Sequence, residues 1–288
     1  MLYSGFGTYT DLRGLVVLVE DSNEDVELRE NALHSLIWIF KALAMRSQAK
    51  DLSDKLVALL KNDAISIRYL AAEGFGTVIR SCEEVLNKNS HAKESFLFKQ
   101  RFFKENFAKL SNALNKTTER QHSCGSCTSK GCELDSQTAY LFALSRLLEY
   151  VPKSIMLSDL NDNKILPILV MALGSQRVEV KVSALATLSV LVNEAVEAVE
   201  PHLHTLIPLF LQVITLNSKH NKIKVKAADR ARAIDCLSEI AESLPYHQIH
   251  PFKKMVDRGI IPALDDRKRA VRSKAVQCKN QWLTLQNQ

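Results

Sequence analysis

Apolar side chains recur at steps of three and four residues near the end of the chain, which is the spacing of one face of an α-helix. Five positions follow it: Val271, Ala275, Cys278, Trp282 and Leu285. The stretch 264–276 is predicted to open this helix, with Asp265 or Asp266 as the capping residue because a carboxylate accepts unpaired backbone N–H groups. The small side chain of Ala275 predicts close approach of another helix on that face.

The same combination of a basic residue and an alanine three positions later occurs throughout the chain. The pairs are Arg29 and Ala32, Arg68 and Ala71, Lys181 and Ala184, Arg230 and Ala233, and Arg272 and Ala275. The basic residues of the first two pairs are 39 residues apart, and those of the last three are 49 and 42 apart. Repeats of roughly 40–47 residues are typical of HEAT and armadillo arrays. We therefore predict an all-α HEAT-repeat solenoid, a single array over 1–288 with about six antiparallel helix pairs.

The periodicity lapses between 115 and 136, where Thr, Ser, Gly, Lys and Cys dominate. We predict a flexible cysteine-containing loop here, inserted between the two helices of one repeat. His122, Cys124, Cys127 and Cys132 lie in it, and Cys-x-x-Cys spacing allows two thiolates to share one metal ion. A second paired element is missing, and a disordered tether explains the same residues. We therefore predict no metal site, and whether these residues ever bind metal stays open.

Composition favours helices joined by short turns. The chain has only 9 Gly and 7 Pro with 46% hydrophobic residues. No apolar run reaches the roughly 18–20 residues that span a bilayer, and the first ten residues do not follow the pattern of a secretory signal. Six Cys without a regular framework indicate a reducing compartment. The first helix is apolar nearly all round, so we expect either that the chain is the C-terminal part of a longer array or that a partner covers this end.

Two further motifs each have two interpretations. Gly74-Phe75-Gly76 resembles part of a nucleotide loop, but no strand precedes it and a third glycine is missing, which favours close helix packing. The aromatic stretch 96–103, with Lys and Arg between its rings, suits either a nucleic-acid stacking surface or a helix core, and the core is favoured. No nucleophile elbow, phosphate loop or Cys/His dyad is recognisable. We predict no catalysis, no catalytic residues and no cofactor.

Positive charge is concentrated towards the end of the chain. The segment 219–279 has 15 Lys and Arg against 7 Asp and Glu, a net of +8, whereas the whole chain is +6. Such a segment attracts either an acidic protein or a phosphate backbone. The last helix pair has the densest cluster, and we predict a partner-binding site there: Arg267, Lys268, Arg269, Arg272, Lys274 and, as an apolar anchor, Trp282.

Several blocks of this sequence resemble one HEAT-repeat family. They are His91-Ala92, the segment 98–103 (Phe-Lys-Gln-Arg-Phe-Phe), the segment 264–272 with Ala275-Val276, and Trp282. They are similar to the C-terminal region of the family of the nineteenth methyl-methanesulfonate-sensitivity protein, the scaffold subunit of the cytosolic iron–sulfur protein assembly targeting complex. The likeness runs from about residue 52 to residue 282. The cysteine-containing loop is not part of the family pattern.

The resemblance implies a non-catalytic adaptor in the cytoplasm and nucleus. Its expected partners are a small acidic-motif subunit, a β-propeller subunit and apo iron–sulfur enzymes of DNA replication, repair and transcription. Neither a membrane nor direct nucleic-acid binding is expected from it. The alternative from another class is a nucleic-acid-binding HEAT protein that uses the basic face 219–279. That alternative predicts salt-dependent binding spread over many Lys and Arg residues.

Overall fold

The computed structural model describes residues 9–21, 23–44, 50–80, 92–123, 130–158, 164–215 and 225–285. Side chains are described for these residues apart from 9–13, 43–44, 50–52, 92–95, 120–123 and 130–135. Within these ranges every regular element is a helix, so the predicted all-α solenoid fold is confirmed. None of the described helices combines the length and the hydropathy needed to cross a membrane.

The chain forms two compact units, and the first comprises residues 1–156. Its described residues form three helix pairs, in each of which a shorter or more exposed outer helix precedes an inner helix. Its helices are α1 (Tyr9–Glu20), α2 (Val26–Ala44), α3 (Lys50–Leu59), α4 (Ile65–Ile79), α5 (Ala92–Ser123) and α6 (Lys130–Tyr150). The inner helices α2, α4 and α6 pack on one another in order, α2 against α4 and α4 against α6.

The second unit comprises residues 157–288 and contains three more pairs. Short 3₁₀ turns at Glu200–His202 and His250–Phe252 break up its outer layer. Its inner helices α9, α12 and α16 again pack in order. The elements from the unit boundary onwards are α7 (Lys153–Ser158), α8 (Ile165–Gly174), α9 (Val178–Glu194), α10 (Val196–Val199), α11 (Leu203–Thr215), α12 (Ala227–Ser243), α13 (Tyr246–Ile249), α14 (Lys253–Gly259), α15 (Ile261–Leu264) and α16 (Arg269–Thr284).

The five repeat alanines lie in the cores of these units. Their exposed fractions are 6% at Ala32 and zero at Ala71, Ala184, Ala233 and Ala275. A side chain of this size lets the neighbouring helix approach closely, and a larger one would have to displace well-packed atoms. The repeat register predicted from the spacing is therefore correct in every pair.

The basic residue of each repeat is the fourth residue of its inner helix, and it binds a backbone carbonyl just before that helix. Four of the five are buried: Arg29, Arg68, Lys181 and Arg230. The carbonyl acceptors are those of Val19 for Arg29 (3.1 Å), Asp63 for Arg68 (3.2 Å), Leu173 for Lys181 (2.9 Å), Val225 for Arg230 and Asp266 for Arg272 (2.6 Å). The carbonyls of Val19 and Leu173 lie in the last turns of α1 and α8 and lack intrahelical donors, so Arg29 and Lys181 satisfy them and join the two halves of their repeats. The other three carbonyls belong to the segments that lead into the inner helices.

Three of these side chains also reach the following repeat. Arg29 donates to Asn62 Oδ1 (3.1 Å), Lys181 to Gln212 Oε1 (3.5 Å), and Arg230 to both oxygens of Asp266. Burial lowers the pKa of Lys181, because its ammonium group exchanges water for neutral oxygens alone. The repeat spacing in the sequence therefore reflects a recurring buried connection between consecutive repeats.

Both ambiguous motifs of the first unit are packing elements. A Cβ atom at Gly76 would lie 3.1 Å from Arg146 Cβ and from Tyr150 Cδ2, so this glycine allows α4 to approach α6. In α5, Phe102 and Phe103 are 5% and 1% exposed, and the Phe102 ring lies 6.0 Å from the ring of Phe40. The packing interpretation is correct for Gly76 and for Phe102 and Phe103, whereas Phe96 at the start of the aromatic stretch is 39% exposed.

The predicted loop 115–136 is wrong at both ends. Helix α5 continues to Ser123 and α6 begins at Lys130, so only 124–129 falls outside the described backbone. The hydroxyl groups of Thr117 and Thr118 donate back to the carbonyl of Leu114 at 2.6 and 3.0 Å, which lets both threonines remain in a helix. Gln137 Nε2 then donates to Thr118 Oγ1 at 3.2 Å, which pairs the two helices across their polar ends.

Candidate partner-binding surface

The turn before α16 is attached to the core by one carboxylate. Asp266 accepts two hydrogen bonds from Arg230, from Nε to Oδ2 and from Nη2 to Oδ1, each 2.9 Å long. Its Oδ1 also accepts the backbone N–H of Lys268 at 2.8 Å. The side chains of Arg230 and Asp266 are only 3% and 8% exposed. These hydrogen bonds therefore fix the backbone of this turn against α12.

This arrangement differs from the capping role predicted for Asp265 or Asp266. Helix α16 begins at Arg269, the cap position is occupied by Lys268, and no side chain caps the helix. Asp266 lies two residues before the cap position, and its carboxylate bonds to Arg230 of the core and to the N–H of Lys268 within the turn. Burial raises the pKa of Asp266, but the hydrogen bonds from Arg230 and Lys268 and the charges of Arg230 and Arg272 outweigh burial and lower the pKa overall.

Three of the six predicted site residues form an exposed group that we call the basic turn: Arg267, Lys268 and Arg269. Their side chains have no hydrogen-bond or ion-pair partner within the described part of the chain. They precede or begin α16, whose first turn contains no acidic residue, whereas the first turns of α2, α9 and α12 contain Glu27, Glu179 and Asp229. Positive charge at a helix N-terminus is repelled by the positive end of the helix dipole. A bound anionic partner would offset this repulsion, so the basic turn favours binding of an anion.

Arg272 and Lys274 are engaged within the chain. Arg272 is half-buried and supports the turn through the carbonyl of Asp266. Lys274 forms an ion pair with Asp235 of α12, and both side chains remain 40% or more exposed. These two residues position the basic turn and add charge near it, but they do not present free donors as the three turn residues do.

The prediction that Trp282 is an apolar anchor for a partner is wrong. Its side chain has no exposed area, and its indole Nε1 donates to the carbonyl of Leu237 at 2.9 Å. The periodic face of α16 directs Trp282 into the packing between α12 and α16, together with Ala275 and Cys278. A partner protein cannot contact this ring while the repeat is folded.

Elsewhere in the segment 219–279, several basic side chains are engaged within the chain, although the net charge of the segment stays +8. Arg232 pairs with Asp229 and Lys279 with Asp257, each at 3.4 Å. Lys253 donates to the carbonyls of Leu283 and Leu285 at the end of α16. Lys219, Lys222 and Lys224 lie outside the described residues. Within 225–279, the exposed basic residues that form no ion pair with an acidic side chain are Lys226, Lys254, Arg258 and the three residues of the basic turn.

The four candidate metal ligands, His122, Cys124, Cys127 and Cys132, have no described side chains, so the structure does not test whether they form a site. Cys124 and Cys127 lie outside the described residues, and so do the side chains of His122 and Cys132. Among the side chains that are described, no group of three or more His, Cys, Asp and Glu is arranged to hold a metal ion. Cys236 and Cys278 are free and buried, and burial raises their pKa values to about 12 and about 11.

Comparison with known proteins gives a consistent family assignment. Residues 11–241 match the MMS19_C family, described as RNAPII transcription regulator C-terminal. The chain belongs to the MMS19 family. It is 32% identical over 279 residues to the MMS19 nucleotide excision repair protein homolog of Dictyostelium discoideum, which covers 94% of this chain and 23% of that protein. It is 30% identical over 255 residues to the DNA repair/transcription protein mms19 of Schizosaccharomyces pombe, covering 88% of this chain and 22% of that protein.

The chain thus spans less than a quarter of the length of these relatives. The human MMS19 homolog is 29% identical over 259 residues. Among solved structures, the chain is similar to an engineered protein (TM-score 0.56, 17% identity, 94% of this chain and 98% of that one). It is also similar to a designed armadillo repeat protein (TM-score 0.52, 13% identity, 94% of this chain and 99% of that one). At these identities the structural likeness supports the helical-repeat fold and nothing finer.

Proposed function

We propose that this chain is a non-catalytic docking segment of a scaffold protein in the cytosolic iron–sulfur assembly targeting complex. In this role it binds other targeting subunits, a small acidic-motif subunit and a β-propeller subunit. The full scaffold then presents apo iron–sulfur enzymes of DNA replication, repair and transcription for cluster insertion, in the cytoplasm and nucleus. Membership of the MMS19 family, whose members are named for DNA repair and transcription, supports this role. Stacked helix pairs also offer a long surface for several partners without needing an active site.

The observation that carries the proposal is the basic turn and the way it is held. Arg267, Lys268 and Arg269 are exposed and unpaired, while the buried pair of Arg230 and Asp266 fixes the backbone beneath them. Because the turn is ordered before binding, little conformational entropy is lost when a partner docks. Arginine binds carboxylates through two parallel hydrogen bonds, so the turn suits an acidic protein segment.

The test is reversal of the basic turn in a co-purification with the two targeting subunits. In the variant, Arg267→Glu, Lys268→Glu and Arg269→Glu are combined. We expect loss of the small subunit at physiological salt with unchanged circular dichroism. In the parent protein the association should weaken steeply with salt, since exposed charges act mainly on the association rate.

A matched control reverses three exposed lysines elsewhere, Lys61→Glu, Lys116→Glu and Lys164→Glu, and so changes the net charge equally. This control should retain the complex. Undiminished complex with the basic-turn variant would contradict the proposed docking site.

The alternative, a nucleic-acid interface over 219–279, has less support from the described residues. Arg230, Lys274 and Lys279 are paired with acids of the same chain, and Arg272 and Lys253 bind backbone carbonyls. A phosphate backbone would be bound by many free cations, and its affinity would fall with each one removed. Titration of the basic-turn variant and the lysine control with duplex DNA distinguishes the two functions. DNA binding that persists at physiological salt favours the alternative.

A further inference from the structure

A groove of about 690 Å³ lies between the outer helices α11 and α14 of the second unit. It shares no residue with the basic turn, and no sequence motif marks it, because its two walls come from different repeats. Its lining residues are Pro208, Leu211, Pro251, Lys254, Met255, Arg258 and Gly259. Four of these, Pro251, Lys254, Met255 and Arg258, are exposed, so the groove is open along one side.

Gly259, Pro208 and Pro251 determine the shape of the groove. A Cβ atom at Gly259 would lie 2.6 Å from Leu211 Cδ1, so glycine at this position leaves room for the Leu211 side chain between α11 and α14. Pro208 and Pro251 add rigid apolar rings, and neither has a backbone N–H group to donate. With the rings and Leu211 held in place, a ligand would meet a preformed apolar surface.

The chemistry of the groove is set by two adjacent rows on α14. Lys254 and Arg258 are four residues apart and lie on one face, and Met255 and Gly259 form the neighbouring row. Met255 is 44% exposed and lies in the row next to these two cations. No acidic residue lines the groove, and the nearby Asp257 faces Lys279 at 3.4 Å. An apolar floor therefore runs beside two cations that lack an ion-pair partner in the described structure.

We propose that this groove binds a short acidic amphipathic helix of a partner protein. Apolar side chains of that helix lie on Leu211, Met255 and the two prolines, and its Asp or Glu side chains pair with Lys254 and Arg258. From Pro251 in the 3₁₀ turn to Gly259 at the end of α14, this wall is about 12 Å long, which matches roughly two turns of a bound helix. Methionine adapts its flexible thioether chain to different apolar partners, as at other helix-binding grooves.

Two other kinds of ligand fit the groove less well. A small molecule is usually enclosed over about 70–90% of its surface, whereas four of the seven residues that line this groove are exposed. A nucleic-acid strand would use aromatic stacking and many cations, whereas the lining contains no aromatic residue and only two cations. The proposal goes beyond the adaptor function, because it adds a second docking surface that does not involve the basic turn.

The probe for this proposal is a fluorescein-labelled peptide of about 15 residues with leucines at i, i+4 and i+7 among glutamates. Fluorescence anisotropy measures its binding to the full chain. We expect saturable binding that falls at least about tenfold with Met255→Glu and with Lys254→Glu combined with Arg258→Glu. The matched controls are Val276→Glu, at another exposed apolar residue, and Lys116→Glu combined with Lys164→Glu, and each should change affinity less than about twofold.

Three results would overturn the proposal. The first is equal binding of a peptide with the same composition whose leucines do not share a face, since charge alone would then explain the affinity. The second is tighter binding of a single-stranded DNA of similar length, lost equally with the groove and control variants. The third is undiminished binding by Met255→Glu or by the milder Met255→Ala, with folding verified by circular dichroism. Because the basic turn is left unchanged in all of these variants, failure of this proposal leaves the proposed function to its own test.

Discussion

The guanidinium group of Arg230 and the carboxylate of Asp266 lie face to face across 36 residues of sequence, joined by two hydrogen bonds of 2.9 Å. Arg230 is the fourth residue of α12, and Asp266 belongs to the turn that starts the next inner helix. The pair therefore connects consecutive repeats. It also supports the exposed residues 267–269 from the inside, so the same contact serves stability and the proposed docking site.

Removing one partner of this buried pair should cost much more stability than removing one partner of an exposed pair. For Arg230→Met we expect a loss of about 3–5 kcal/mol in the free energy of unfolding, because Asp266 is left charged and buried. Lys274→Met, which breaks the exposed pair with Asp235, should cost about 0–1 kcal/mol. Urea unfolding followed by circular dichroism measures both, and equal losses would show that Arg230 is not buried as described.

The contribution of Asp266 should depend on pH in the acid range. Its pKa is about 3.8 when unperturbed and lower in the folded protein, so the unfolded state takes up the proton first as pH falls. The stabilisation is therefore complete well above pH 3.8 and is lost as pH falls through the lower, folded-state pKa. Asp266→Asn should be less stable than the parent at neutral pH, and this difference should shrink below about pH 3.8. A difference that stays constant with pH would contradict the lowered pKa.

Ala275→Asp should disrupt the last repeat. Ala275 has no exposed area, so an aspartate there would be buried without a partner at a cost of roughly 2–5 kcal/mol. Ser273→Asp, on an exposed position of the same helix, is the control and should change stability by less than about 0.5 kcal/mol. Thermal melts of the two variants test this. A soluble, unchanged Ala275→Asp protein would mean that the repeat register is wrong.

Two glycine positions should respond in opposite directions to alanine. At Gly76 an added Cβ would lie 3.1 Å from Arg146 and Tyr150, so Gly76→Ala should lose about 1–3 kcal/mol. At Gly14, within α1, nothing lies within 4 Å of an added Cβ. Gly14→Ala should therefore gain about 0.5–1 kcal/mol, because alanine loses less backbone entropy in a helix. Chemical unfolding of both variants gives the sign directly.

The buried cysteines should be unreactive in the folded protein. Burial raises the pKa of Cys236 to about 12 and that of Cys278 to about 11, so almost no thiolate is present at physiological pH. A variant in which Cys82, Cys124, Cys127 and Cys132 are replaced by serine isolates these two thiols. An aromatic disulfide reagent should label it only after urea unfolding, and rapid labelling of the folded variant would contradict the burial of α12 against α16.

The residue patterns determined the fold class, the repeat positions and the core side of the inner helices. These properties follow from spacing along the chain, since residues three and four apart share a helix face wherever the helix packs. The basic residue and the alanine of each repeat could therefore be identified without any tertiary information. Helix ends were less predictable: 115–123 and 130–136 lie in helices because Thr117, Thr118 and Gln137 make hydrogen bonds that composition does not reveal.

Only the tertiary structure decided which residues of the last repeat are available to a partner. Arg267, Arg272 and Trp282 belong to one promising cluster in the sequence, yet one is exposed, one supports the turn and one is wholly buried. Their roles depend on Arg230, Asp266 and Leu237 of other elements. The groove likewise needs Leu211 and Gly259 to meet across 48 residues. Local periodicity establishes which side of a helix is apolar, but burial and charge pairing depend on what the fold places against that side.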